Sequence, residues 1–188
     1  MNLTEIEAFT IANGEGHAFA HVCRLKKLVE QIDAGLVYDR RALEFAIYLH
    51  DWGAFAIYRR PDEEHALRSR QIVESEVLPI AGLPDSILPV VLEAIELHDY
   101  RDLRPPVSPE ALLLREADML DFLGAVGLAR EFARGPHNLR LCYDRAVERL
   151  AVIRDRFTLP AAQLIAVQRI DEMDRGLARL SEECFGYL

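Results

Sequence analysis

Apolar residues recur along this chain at spacings of three and four. On four of the resulting stripes an ionisable side chain stands where the period calls for leucine or isoleucine. His21 heads the series Leu25, Leu28, Ile32; His50 follows Leu43 and Ile47; His98 follows Ile87, Val91 and Ala94; Asp118 follows Ala111 and Leu114. A 3.6-residue period makes each stripe one face of a helix, and no run alternates with the period of two that marks a strand. The constraint is severe, because a carboxylate buried without a partner costs several kcal/mol and therefore pairs with a cation or holds a metal.

Local signals divide the chain into helices. Thr4 with Glu7 forms a candidate capping box for a short first helix that Asn13-Gly14 ends. The second runs over about 18–33 and stops at Gly35. Asp39 caps the third, which Gly53 breaks; Asp62 caps a fourth over 63–77, closed by Pro79 and Gly82; Asp85 caps a fifth. After Pro105-Pro106, Ser108-Pro109-Glu110 restarts the chain with an N-cap, a proline at the first helical position and a carboxylate in the first turn. Gly124 releases a seventh segment. Gly135-Pro136 precedes an eighth, with Leu139, Cys142, Ala146, Ile153 and Phe157 inward. Pro160 opens the last, with Ala166, Ile170, Met173, Leu177 and Leu180 inward. With 188 residues, 51% of them apolar, and no long linker, the chain reads as an all-α, single-domain helical bundle.

Composition narrows the setting. Three scattered cysteines, Cys23, Cys142 and Cys184, read as small buried hydrophobes in a reducing compartment. The opening MNLTEIEAFTIANGEG lacks a basic stretch followed by an apolar run, and no apolar stretch could span a bilayer. A soluble, cytoplasmic protein with no membrane partner is expected. The formal net charge of -9 disfavours long nucleic acids as partners, because the far field repels a phosphate backbone.

Histidine nitrogens and carboxylate oxygens arriving from separate helices are what a divalent transition metal in a bundle core requires. Taken singly, each residue has a plainer account. A histidine on an apolar face is more often hydrogen-bonded core, Asp118 could be salt-bridged, and Asp51 could be an ordinary residue at a helix end. The combination weighs against those accounts. Neighbours on a helix point about 100° apart, so His50 and Asp51 reach one ion only near a helix end, and Gly53 places the end there.

The order His21, His50-Asp51, Asp118 resembles the H…HD…D signature of the HD superfamily of metal-dependent phosphohydrolases. The resemblance covers nearly the whole chain. His17 to Val22 is similar to the family's first-histidine motif, with Arg24 where many members carry arginine. Glu116 to Asp121, followed by Gly124-Ala125-Val126-Gly127, resembles the DADxLD…GAxG stretch of small bacterial members. Ala18 and Met119 depart from that pattern, which usually has aspartate and a basic residue there. The resemblance implies a single HD domain over 1–188, with a metal-site core over about 17–135 and C-terminal helices over 137–185 packing on it.

It further implies a divalent ion (Mn, Fe, Co, Ni, Zn or Mg) on His21, His50, Asp51 and Asp118, one per chain favoured over two, and attack of metal-bound hydroxide on phosphorus. Asp51 would both ligate and orient the water, while His65 or His98 would contact the phosphate and protonate the leaving group. The order His21, His50-Asp51, His65, His98, Asp118 also permits a dinuclear site. His17 and Asp121 are candidates for supporting positions behind the ligands, and His137 reads as a surface loop residue. Arg24 and Lys27 on the His21 helix are candidate phosphate ligands, with Arg59-Arg60 and Arg101 with Arg104 as basic clusters that follow site histidines. The implied substrate is a small phosphorylated molecule, a nucleotide first. A dinuclear iron oxygenase and a non-catalytic metal- or nucleotide-binding regulator are the alternatives. The last two helices carry apolar periodicity that suits either intrachain packing or a homodimer.

Overall fold

The structure, a computed structural model, describes every residue except 34 and 136. Among the described residues there is no strand, and the chain forms two compact units, Met1–Ala117 and Asp118–Leu188. No helix among them is long and apolar enough to cross a membrane.

The first unit begins with α1 (Leu3–Asn13), whose capping box uses Asn2 and Glu5 rather than Thr4 and Glu7. Asn2 is the better placed residue because it sits in extended backbone just before the first turn and accepts from the Glu5 N–H at 3.0 Å. Next come α2 (Ala18–Ile32) and α3 (Arg40–Leu49), the latter capped as expected by Asp39, which accepts from the Ala42 N–H at 2.9 Å. A 3-10 turn, Trp52–Ala54, follows. The predicted 63–77 helix is two pieces, α4 (His65–Ile72) and a π turn (Val73–Val77), and the chain continues past it as α5 (Leu78–Ala81). Asp62 caps none of them, because Glu64 occupies the N-cap position, itself without a side-chain cap. Asp85 opens only a 3-10 turn (Asp85–Ile87) ahead of α6 (Leu88–Glu96), and His98 lies just past the end of α6.

α1, α2 and α3 pack on one another, and α6 packs on both α3 and α4. Their shared interior holds Leu25, Ile32, Phe45, Leu49, Ile72 and Ile95, all fully buried. Two polar contacts tie α1 to the end of α3. Tyr48 donates to Glu7 at 2.6 Å, and the buried Trp52 indole donates to Thr10 at 3.0 Å. The histidine stripes thus enter the core as the periodicity requires.

α7 (Pro109–Asp121) starts from the Ser108 cap, and its buried Glu110 accepts from the Asp39 N–H at 2.5 Å. In the second unit, α8 (Gly124–Arg134) packs on α9 (Leu139–Ile153) and α10 (Pro160–Glu183). Gly124 has φ of +68°, in the left-handed region that glycine takes at little cost, and this turns the chain between α7 and α8. Of the inward residues expected on α9 and α10, Leu139 is exposed at the first turn of its helix and Leu180 is half-buried; Cys142, Ala146, Ile153, Ala166, Ile170, Met173 and Leu177 are buried. The Gly135-Pro136 start of that segment lies partly outside the described residues.

Gly53 acts through space rather than by breaking α3. A Cβ there would meet the His65 carbonyl oxygen at 2.3 Å and the Ser69 nitrogen at 2.6 Å, and the Gly53 N–H donates to Ser69 Oγ at 2.8 Å. Only glycine lets the first turn of α4 close on the 52–54 turn. Gly53→Ala forces backbone apart and is expected to cost about 1–3 kcal/mol, read as a lower midpoint in urea unfolding. Stability equal to wild type would contradict the contact.

Candidate metal centre

α3 delivers the central pair. His50 keeps helical backbone and its N–H donates to the Ala46 carbonyl at 2.9 Å, whereas Asp51 leaves the helix with φ −101° and ψ 5°. That break lets the adjacent side chains converge, as their position near a helix end requires. His50 Nδ1 donates to the Ile47 carbonyl at 2.8 Å, and His98 Nδ1 donates to the Ile95 carbonyl at 2.6 Å. A carbonyl can only accept, so both rings carry a proton on Nδ1 and turn Nε2 towards the cluster.

Four imidazoles then meet one carboxylate. His21 Nε2, carried by α2, lies 3.2 Å from His50 Nε2, and Asp51 Oδ2 lies 3.3 Å from His50 and 3.8 Å from His21. On the other side His65 Nε2, from the first turn of α4, lies 3.1 Å from His98 Nε2, and Asp51 Oδ1 lies 3.4 Å from His65 and 3.7 Å from His98. His21, His50 and His98 are buried, His65 is a quarter exposed and Asp51 a third exposed, so the cluster reaches solvent on the Asp51–His65 side.

The electrostatics follow from this enclosure. Burial pushes the Asp51 carboxyl up, but His50 above all, with His98 and His65, outweighs it and holds the group well below the usual carboxylate range. Burial pushes His65 down, with Asp51 opposing. Two donors at about 2.1 Å from one divalent ion stand about 3.0–3.4 Å apart in octahedral or tetrahedral geometry. The spacings within His21, His50 and Asp51, and within Asp51, His65 and His98, lie in or just beyond that range, so each group could hold an ion.

The other predicted residues are placed as follows. Asp118 is a buried carboxylate on α7, at the start of the second unit. Asp121 is buried and accepts from Arg130 at 2.5 Å. Arg24 is half-buried on α2, while Lys27 is exposed and pairs with Glu30 at 2.7 Å. His17 is exposed at the N-cap of α2, with Nδ1 3.4 Å from the Glu15 carbonyl oxygen. His137 is exposed in a turn.

Two arginines stand behind the histidines: Arg115, which the periodicity does not single out, and Arg101, which belongs to one of the expected basic clusters. Arg115, buried on α7, donates to the Leu97 carbonyl at 2.5 Å and the Arg104 carbonyl at 2.8 Å, which fixes the loop carrying His98. A lone arginine inside the apolar run ALLLREADML was the available signal. Arg101 grips Asp99 with both Nε and a terminal nitrogen, at 3.0 and 2.6 Å, and Asp99 Oδ2 lies 3.6 Å from His65 Nδ1. Burial raises the Asp99 pKa, but the Arg101 fork outweighs it and the net shift is downward.

A carboxyl whose folded pKa lies below its unfolded value stabilises above about pH 4 and loses that contribution as pH falls through the folded pKa. Arg101→Ala is therefore expected to cost about 1 kcal/mol at pH 7, reduced from a buried pair because Arg101 is half exposed, and progressively less below pH 4. Urea unfolding at pH 7 and pH 3 measures the difference, and a cost independent of pH would contradict it.

No family model matches the chain. The protein YpgQ of Bacillus subtilis is 26% identical over 97% of this chain and 92% of its own length. An HD-superfamily hydrolase from Bacillus thuringiensis superposes with a TM-score of 0.68 at 23% identity, covering 96% of this chain and 93% of its own. YpgQ in complex with ADP superposes with the same TM-score at 20% identity, again covering 96% and 93%. A Lactobacillus plantarum structure reaches 0.74 at 17% identity, covering 96% and 95%. The chain has the all-α HD-domain fold.

Proposed function

We propose that this protein is a cytoplasmic, divalent-metal-dependent phosphohydrolase whose substrate is a small phosphorylated molecule, a nucleotide first. One observation carries the reading: both Asp51 oxygens face imidazole nitrogens, Oδ2 towards His21 and His50, Oδ1 towards His65 and His98. The HD-domain fold supports it, and the ADP complex of the related YpgQ points to nucleotides.

In this reading His21, His50 and Asp51 would hold one ion. Such an ion, when bound, would supply a water of lowered pKa and offset charge on the phosphoryl oxygens. Asp51 would both help hold the ion and orient the water. His65 and His98 face the phosphate, and one of them passes a proton to the leaving oxygen. Arg24 clamps a phosphate oxygen from α2; Lys27 joins it only by giving up Glu30. His17 and Asp121 take supporting rather than ligating parts. Asp51 belongs to both histidine groups, which favours one second reading, a site for two ions that would supply dinuclear iron oxygenase chemistry.

Metal analysis of the purified chain with a screen of nucleotides and phosphoesters tests these readings. One ion per chain and metal-dependent release of phosphate or pyrophosphate are expected, with Asp51→Ala losing about a thousandfold or more in turnover. Two irons with dioxygen consumption would replace the reading by the oxygenase. Metal-loaded protein that hydrolyses nothing would leave a binding protein.

A further inference from the structure

α6 carries more apolar surface than the core takes up. Val91, Ala94 and Ile95 are buried in the first unit, while Leu88 and Leu92, one turn apart on another face, are half-buried. Both leucines line a pocket of about 840 Å³ that α6 shares with the end of α4, the π turn and α5, and Leu78, Leu83 and Leu97 add to its wall. That volume lies within the range of small-ligand sites, and the half-buried leucines leave apolar area for a ligand to cover. None of His21, His50, Asp51, His65 and His98 lines it, so the pocket is separate from the histidine cluster.

The charges decide which kind of ligand fits. Glu96 stands between the two guanidinium groups of the pocket, 3.0 Å from Arg70 Nε and 2.7 Å from Arg104. Arg104 also grips Asp102 with two nitrogens, at 3.1 and 2.6 Å. Both cations are thus compensated within the protein, and an anionic ligand would have to displace a carboxylate to reach either. The other lining carboxylates are not compensated. Among the described residues no cation pairs with Asp85 or Glu93, and Glu93 accepts from the Val107 and Ser108 N–H groups at 2.6 and 3.2 Å. Glu74, on the π turn, lies 4.0 Å from Arg70, which Glu96 holds more closely. The charge left beside the leucines is negative.

We infer that this pocket binds a small organic cation, an apolar body carrying one ammonium group. The body covers Leu78, Leu88 and Leu92, and the ammonium faces the carboxylates of Asp85 and Glu93. Apolar burial supplies the affinity, whereas the unpaired carboxylates select the sign of the charge. The site stands independently of the phosphohydrolase reading, because it shares no residue with the metal centre.

Calorimetric titration of the full chain with phenylbutylamine, phenylbutanol and phenylbutyrate, one skeleton with three end groups, tests this. Wild type should bind the amine about fivefold more tightly than the alcohol and the carboxylate most weakly, as expected for partly exposed charge pairs. The isosteric double change Asp85→Asn with Glu93→Gln should remove the amine's advantage while leaving alcohol binding within about twofold. Leu92→Trp, which fills the pocket from a half-buried position, should abolish binding of both. Asp51→Ala should bind the amine as wild type does. No saturable binding of the amine by wild type overturns the inference, as does carboxylate binding as tight as that of the amine. Amine binding that keeps its advantage in the double variant, survives Leu92→Trp or disappears in Asp51→Ala also overturns it.

Discussion

One carboxylate charge, held among four imidazoles where α3 ends, governs the first unit. Asp51 carries its charge against a desolvation penalty that burial alone would relieve by protonation, and the histidines around it reverse the balance. Each histidine comes from a different point of the chain: α2, the end of α3, the start of α4 and the loop after α6. Packing of those elements and ionisation of the carboxylate are therefore two views of one constraint. Displacing an element removes a ring, and removing the carboxylate leaves four basic nitrogens crowded within about 3 Å of one another in pairs.

The surrounding residues make sense as devices for that geometry. Carbonyls of Ile47 and Ile95 fix the orientation of the His50 and His98 rings. Gly53 brings the first turn of α4, and hence His65, against the turn that follows Asp51. Arg115 ties down the loop after His98, and the Arg101–Asp99 fork stands behind His65. None of these residues needs to touch a substrate, and each acts by limiting where a histidine can point.

Much of this was legible in the sequence, for a physical reason. A histidine on a leucine stripe breaks a strong pattern, so His21 and His50 declared themselves as buried, and His98 did so although it lies past the end of its helix. Gly53 does mark a helix end, but not by breaking the helix: α3 stops at His50, and glycine is needed for a contact sixteen residues away at Ser69. Caps were the weakest readings. Asp62 and Asp85 have the chemistry of an N-cap, but capping depends on backbone already turned to meet the helix, and at both places the chain takes another path. Arg115 is not legible because its partners are backbone carbonyls, and Asp99 because the His65 ring it faces is distant in sequence, which no local period reports. A net charge of -9 likewise says little about a site whose arginines and bound ion would set the local field.

The central claim is that His21, His50 and Asp51 meet to hold a divalent ion. A crystal grown with Mn²⁺ and measured at the manganese absorption edge tests it most directly. An anomalous peak is expected within about 2.3 Å of His21 Nε2, His50 Nε2 and an Asp51 oxygen. Saturating Mn²⁺ with no peak at these three side chains would contradict it.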